Sequence, residues 1–180
     1  MTKWRMKPGA LAAIAMVLSP GGWAISTAPT LTVKVTVISQ PCVIPSGEEN
    51  ITLGFGSVVT KDLYAYTRTT PKDFAIHLAK CDTRLAKTVK VTFSGTEDPA
   101  LPGLLALDAG SEGKGIAIGL ETAAGAALKL NQVSDAYTLM DGDNRISMKA
   151  YAQIEPDAQA KRSLNEGAFR ASAVFTLDYE

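Results

Sequence analysis

Residues 167–180 read Gly-Ala-Phe-Arg-Ala-Ser-Ala-Val-Phe-Thr-Leu-Asp-Tyr-Glu. Ala171, Ala173, Phe175, Leu177 and Tyr179 fall on one face at a period of two, which predicts a half-buried β-strand. Only Glu180 follows. A strand that builds a core ordinarily has a neighbour on each side, or a turn that leads to one. This strand has no later segment to pair with, so a sheet edge or groove is expected to stay open beside it. An open apolar edge invites strand addition from another molecule. The plainer expectation is a terminal strand that simply pairs with earlier ones.

The opposite end carries an export signal. Lys3, Arg5 and Lys7 make a basic start, Leu11–Leu18 is a short apolar run, and Gly22-Trp23-Ala24 places small residues at a cleavage site before Ile25. That is the pattern of a secretory signal peptide over residues 1–24. The apolar run is too short to span a bilayer, and Pro20-Gly21-Gly22 breaks it. The remainder, 25–180, is one domain's worth of chain. The whole sequence holds 18 basic and 18 acidic residues. The leader takes three of the basic ones and none of the acidic ones, so the exported part is acidic. Neither nucleic acid nor an anionic membrane surface is an expected partner, and no membrane insertion is expected.

Cys42 and Cys81 are the only cysteines. In an exported chain they predict a disulfide. A reactive thiol or metal pair is the rival reading, but neither cysteine sits in a C-x-x-C or has a histidine at ligand spacing. One histidine and two cysteines leave little material for a metal site, and no cofactor is expected.

Between the ends, nearly every segment alternates. Leu31, Val33, Val35 and Val37 alternate with Thr32, Lys34 and Thr36; Ile51, Leu53 and Phe55 run up to Gly56; Phe74, Ile76 and Leu78 run up to Cys81. Val89, Val91 and Phe93 form another run, as do Ile116, Ile118 and Leu120. Leu128 and Leu130 predict a short strand, and Ile146 to Ile154 a longer one ending at Pro156. Turn signals separate them at Pro45-Ser-Gly, Gly95, Pro102-Gly103, Asp141-Gly-Asp-Asn and Asn165-Glu-Gly. Short alternating strands with regular punctuation predict a β-sandwich. The Ala-rich stretch 122–127 is a candidate helical turn, weakened by Gly125.

Three features resemble chemical sites. His77 is expected to point away from Ile76 and Leu78 toward solvent, with no acid–base partner nearby in sequence. Asp141-Gly-Asp143-Asn144 is half of a calcium loop without its distal glutamate and reads as a tight turn. Gly110-Ser-Glu-Gly-Lys-Gly115 has glycine where a phosphate-binding loop needs Ser or Thr. Nothing assembles a catalytic set, so no enzyme is expected.

Taken in order, the alternating N-terminal extension, Val-Ile-Ser-Gln-Pro-Cys-Val-Ile (37–44), Leu-Gly-Phe-Gly (53–56), Phe-Ala-Ile-His-Leu-Ala-Lys-Cys (74–81) and Val-Lys-Val-Thr-Phe-Ser-Gly-Thr (89–96) form a set. With Gly167 fourteenth from the end and Tyr179 penultimate, the chain resembles the pilin subunits of chaperone–usher fimbriae. Phe93–Gly103 looks most like the minor, tip-proximal subunits of P-type pili. The resemblance implies an incomplete immunoglobulin-like sandwich lacking its last strand. A periplasmic chaperone would lend that strand, and at the outer-membrane usher the N-terminal extension of a neighbouring subunit would replace it. It also implies an extension at 25–38, a pilin domain at 39–180 and a place in a cell-surface fimbrium. Leu31, Val33, Val35 and Val37 would be the donor residues. Gly167, Ala171, Ala173, Phe175, Leu177 and Tyr179 would wall the groove, and basic chaperone residues would grip Glu180. Cys42 and Cys81 would tie the first strand to the third. One position departs from the family: Val35 stands where the donor extension usually has glycine. A receptor-binding adhesin and a self-contained periplasmic binding module are the competing readings.

Overall fold

A computed structural model describes residues 40–180. The expected signal peptide and the donor residues Leu31, Val33, Val35 and Val37 lie outside the described residues. The elements are α1 (Thr60–Tyr66), β1 (Lys72–Cys81), β2 (Thr88–Ser94), β3 (Ile116–Thr122), β4 (Ala127–Leu128), β5 (Tyr137–Thr138), β6 (Gly142–Ile154), α2 (Pro156–Lys161) and β7 (Val174–Tyr179). They form two antiparallel sheets, ordered β1-β6-β3-β4 and β5-β2-β7.

The alternation read from sequence becomes the core. Ile76 and Leu78 of β1, Val89 and Val91 of β2, and Met148 and Ala152 of β6 are each 1% exposed or less. Side chains of this size contribute roughly 1.5–3 kcal/mol each on full burial. β3 departs from strict alternation: Ile116, Ala117, Ile118 and Glu121 are all buried. Its second face lies under the ring of Tyr151, which sits opposite Gly119 on β6. A Cβ on Gly119 would come 2.3 Å from that ring, so any larger residue would have to displace it.

Cys42 and Cys81 are bonded to each other. The Cys42 segment lies on the outer edge of β1, where Val43 and Ala79 exchange hydrogen bonds of 2.8 and 2.7 Å. The β1–β6 register shifts between Leu78 and Cys81, with Lys80 at φ +54°. That bulge reverses the inward face: without it Lys80 would point into the core, and with it Cys81 does. A loop spanning 39 residues gives the disulfide about 4 kcal/mol in the chain-entropy view.

Several expectations are corrected. Residues 51–59 are not a strand. Leu53, Phe55 and Val58 still pack on the core, so the alternation there reports burial without a ladder. Residues 122–127 form no helix; they close the β3–β4 hairpin, with Gly125 at φ +87°. The two short helices, α1 and α2, were not read from sequence. In the 141–144 turn the Asp141 carboxylate accepts from the Thr83 N–H at 2.8 Å and hydroxyl at 2.7 Å, and these bonds hold its pKa below the ordinary value. His77 does have an acidic neighbour, with Nδ1 2.9 Å from Glu48 Oε2, supplied by a turn 29 residues earlier.

Candidate functional site: the open edge of the second sheet

β7 pairs with β2 from Val89↔Tyr179 through Val91↔Leu177 and Phe93↔Phe175 to Ser94↔Val174. Residues directly opposite in an antiparallel pair share a face. Phe175, Leu177 and Tyr179 therefore point into the sandwich, as the sequence predicts. The rings of Phe74, Phe93 and Phe175 make a chain of contacts with centroids 6.3 and 6.4 Å apart. Yet the inward residues of β7 are only partly buried, while their β2 partners are 0–8% exposed. Burial still raises the pKa of the Tyr179 phenol. Among the described residues nothing pairs with the far edge of β7, which ends its sheet.

The strand is shorter than the sequence suggests. β7 begins at Val174, so Ala171 and Ala173 precede it. Ala171 packs partly on the core; Ala173 is exposed and lines no inner face. The backbone of 168–172 is instead bonded to the 108–113 loop. Arg170 O accepts from the Asp108 N–H at 2.8 Å, and Ala168 O from the Glu112 N–H at 2.8 Å. Ser111, 8% exposed, donates its hydroxyl to Arg170 O at 3.1 Å and accepts from the Arg170 N–H at 3.0 Å. Asp108 takes the Ser172 N–H and hydroxyl at 3.1 and 2.9 Å. The Gly-rich stretch 110–115 is thus a cradle for this segment. Sequence reasoning missed Asp108 and Ser111; no local pattern marks either one.

Gly167 opens the segment at φ +146°. An added Cβ would lie 2.6 Å from Glu112 Cβ and 3.1 Å from Gly113 N. Glycine there allows 165–168 to press against 112–114. Beside it, Val58, Leu63, Ile116, Leu164 and Phe169 line a cleft of about 560 Å³. At the other end, Glu180 continues the ladder: its main-chain oxygen accepts from the N–H groups of Lys87 and Thr88 at 2.7 and 2.9 Å. Lys90 Nζ reaches its side chain at 2.7 Å. The edge is therefore a strip running from an apolar cleft near Gly167 to a tethered Glu180. Main-chain groups on its outer side suit the addition of one more strand.

The model of the fimbrial protein family matches residues 30–180. The chain belongs to the fimbrial protein family. Among relatives of this fimbrial subunit, the major MR/P fimbria protein of Proteus mirabilis is 34% identical over 146 residues, covering 81% of this chain and 80% of that protein. The fimbrial adapter PapK of Escherichia coli is 29% identical over 149 residues, covering 79% and 83%. The crystal structure of the P pilus rod subunit PapA superposes with a TM-score of 0.67 at 29% identity, covering 78% of this chain and all of that one. The fimbrial subunit is a chaperone–usher pilin with an all-β, immunoglobulin-like fold. Its relatives are structural subunits, not enzymes. Among the described residues no helix is long and apolar enough to cross a membrane.

Proposed function

We propose that this fimbrial subunit is incomplete on its own and is finished by strand addition along the outer edge of β7. The observation that carries the reading is the half-covered inner face of β7 beside the fully covered face of β2. A donated strand supplies main-chain bonds to the edge and apolar side chains to the cleft beside Gly167. In the periplasm a chaperone provides that strand, with Phe175, Leu177, Tyr179 and Gly167 as the receiving wall and Glu180 against basic chaperone residues. At the outer-membrane usher a neighbouring subunit's extension replaces it. Residues 1–24 direct export, and 25–38, with Leu31, Val33, Val35 and Val37, form this subunit's own donor for a pilin domain at 39–180. The product is a surface fimbrium that supports adhesion.

Within the fimbrium we assign a minor or adaptor position. Support comes from the P-type character of Phe93–Gly103, from the match to PapK, and from Val35. A branched side chain where a glycine is usual calls for a particular acceptor pocket or a shifted register. The 34% identity to a major fimbrial protein favours a second reading, a rod subunit.

The test is expression of residues 25–180 in a periplasm with and without a chaperone from a related fimbrial operon. Recovery chiefly as a one-to-one complex, more stable than the free chain, supports the proposal; a free monomer as stable as the complexed chain overturns it in favour of a self-contained module. Adaptor and rod separate on self-exchange. An adaptor does not polymerise on itself, whereas a rod subunit does. If Val35→Gly leaves the rate of insertion into the natural acceptor unchanged, the idea of a specialised acceptor fails.

A further inference from the structure

A second cleft, of about 460 Å³, lies between the 55–59 segment and the turn that leads from α1 into β1. Its lining includes Asp62, Tyr66, Arg68, Thr70, Lys72 and Ser57. A volume of this size is in the range of small-ligand pockets.

Arg68 is held in place from beneath. Its Nη1 donates to Glu121 Oε2 at 3.1 Å, and the Glu121 side chain is 5% exposed. Its guanidinium lies 4.6 Å from the centroid of the Tyr151 ring, which itself covers Gly119. The Arg68 side chain nevertheless remains 45% exposed and lines the cleft. A guanidinium fixed by a buried carboxylate and an aromatic face has little rotamer freedom left to lose on binding. It presents a planar fork suited to a carboxylate.

Thr67, the C-cap of α1, has φ +64°, a strained conformation for a β-branched residue. Its N–H donates to Leu63 O at 2.9 Å and its carbonyl accepts from the Ile154 N–H at 2.9 Å. These bonds hold the sharp turn that sets Tyr66 and Arg68 on the same cleft. Tyr66 is 73% exposed and, among the described residues, is not part of the core cluster. An exposed ring, a fixed guanidinium, the Ser57 and Thr70 hydroxyls and the Asp62 carboxylate form a mixed set. The ring offers a face for the C–H side of a pyranose, Arg68 a partner for an acidic group, and Asp62 an acceptor for sugar hydroxyls. An acidic peptide could pair with Arg68 and Lys72 but brings neither a pyranose face for the Tyr66 ring nor hydroxyls for the Asp62 carboxylate.

We infer that this cleft binds a carboxylate-bearing sugar, such as a uronic acid residue at a glycan end. The site does not depend on strand addition, so its test stands apart from the chaperone experiment.

The full chain, as recovered from the periplasm with or without its chaperone, is titrated by NMR with methyl glucuronide, methyl glucoside and a capped tetra-glutamate peptide. Saturable shifts at Tyr66, Arg68 and Thr70 with the glucuronide, and binding of the glucoside about tenfold weaker or less, are expected. Tyr66→Ala, at an exposed position, is expected to weaken the glucuronide several-fold without unfolding. Arg68→Lys keeps a cation near Glu121 but loses the fork, and is expected to erase the preference over the glucoside. Equal binding of both sugars, no saturable shift, or tighter binding of the peptide overturns the inference.

Discussion

β2 and β7 lie side by side in one sheet and face one interior, yet they are finished to different degrees. Val89, Val91 and Phe93 are covered on both flanks, by β5 and the 130–134 loop on one side and β7 on the other. Phe175, Leu177 and Tyr179 have the same spacing and comparable apolar size but, among the described residues, one flank only. Composition does not separate the two strands; neighbours do. A sandwich with one unfinished strand retains part of its apolar surface for a partner, which is how a fold becomes a means of assembly.

The comparison can be broken by mutation. The largest expected difference is between Phe93→Ala and Phe175→Ala. In the strand-free subunit, loss of the 8%-exposed Phe93 costs about 3–5 kcal/mol, and loss of Phe175 clearly less. Adding a strand to the β7 edge should bring the two closer. Urea midpoints of both variants, with and without a bound chaperone, measure this, and equal costs in the strand-free form would remove the distinction. Reduction of Cys42–Cys81 should come next, lowering stability by about 4 kcal/mol while leaving the β2–β7 pairing intact. Gly167→Ala follows, at about 1–3 kcal/mol, because the new Cβ meets Glu112 and Gly113 at positive φ. It should disturb the cleft end of the β7 edge and spare the Glu180 end, as an amide chemical-shift map would show.

A comparable loss, about 1–3 kcal/mol, is expected for Asn144→Ala. Its buried side chain accepts from the Met140 N–H at 2.9 Å and donates to Met140 O at 2.7 Å, which fixes the entry to β6. The smallest effect concerns pH. The Arg84 side chain, aided by its own N–H, lowers the exposed Asp82 carboxyl to about 2. Its folded-state pKa is below the unfolded one, so its slight contribution is present above about pH 4 and fades as pH falls toward 2. Arg84→Ala should raise the Asp82 titration, followed by carboxyl NMR, from about 2 part of the way toward 3.8, because the residue-84 N–H still donates to the carboxylate.

What was legible in sequence was whatever repeats at period two and buries one face. β1, β2, β3 and β6 follow from that, as does the disulfide from two cysteines in an exported chain. The 51–59 segment misled because Leu53 and Phe55 anchor a loop by the same spacing that anchors a strand. The N-terminal half of the terminal alternation failed for a different reason. Ser172 and Arg170 are bonded to Asp108 and Ser111, some sixty residues away, and that pairing replaces a regular ladder. α1 has a single buried side chain, Leu63, and no side-chain cap at Val59, so it left no periodic trace. α2 did carry a signal, Pro156 at the first turn with Asp157 and Lys161 four apart, which read only as a strand's end. Arg68 and Glu121 met across 53 residues, beyond any local motif.

In the proposed function, the β7 edge is open until another strand fills it. Amide hydrogen exchange on residues 174–179, compared with 88–94, tests it most directly. In the chain freed of any donor, alternate β7 amides are expected to be poorly protected while β2 stays protected, and a bound chaperone or a donated extension is expected to raise β7 to the β2 level. Protection of every β7 amide at the β2 level in the free chain, unchanged by a partner, would contradict it.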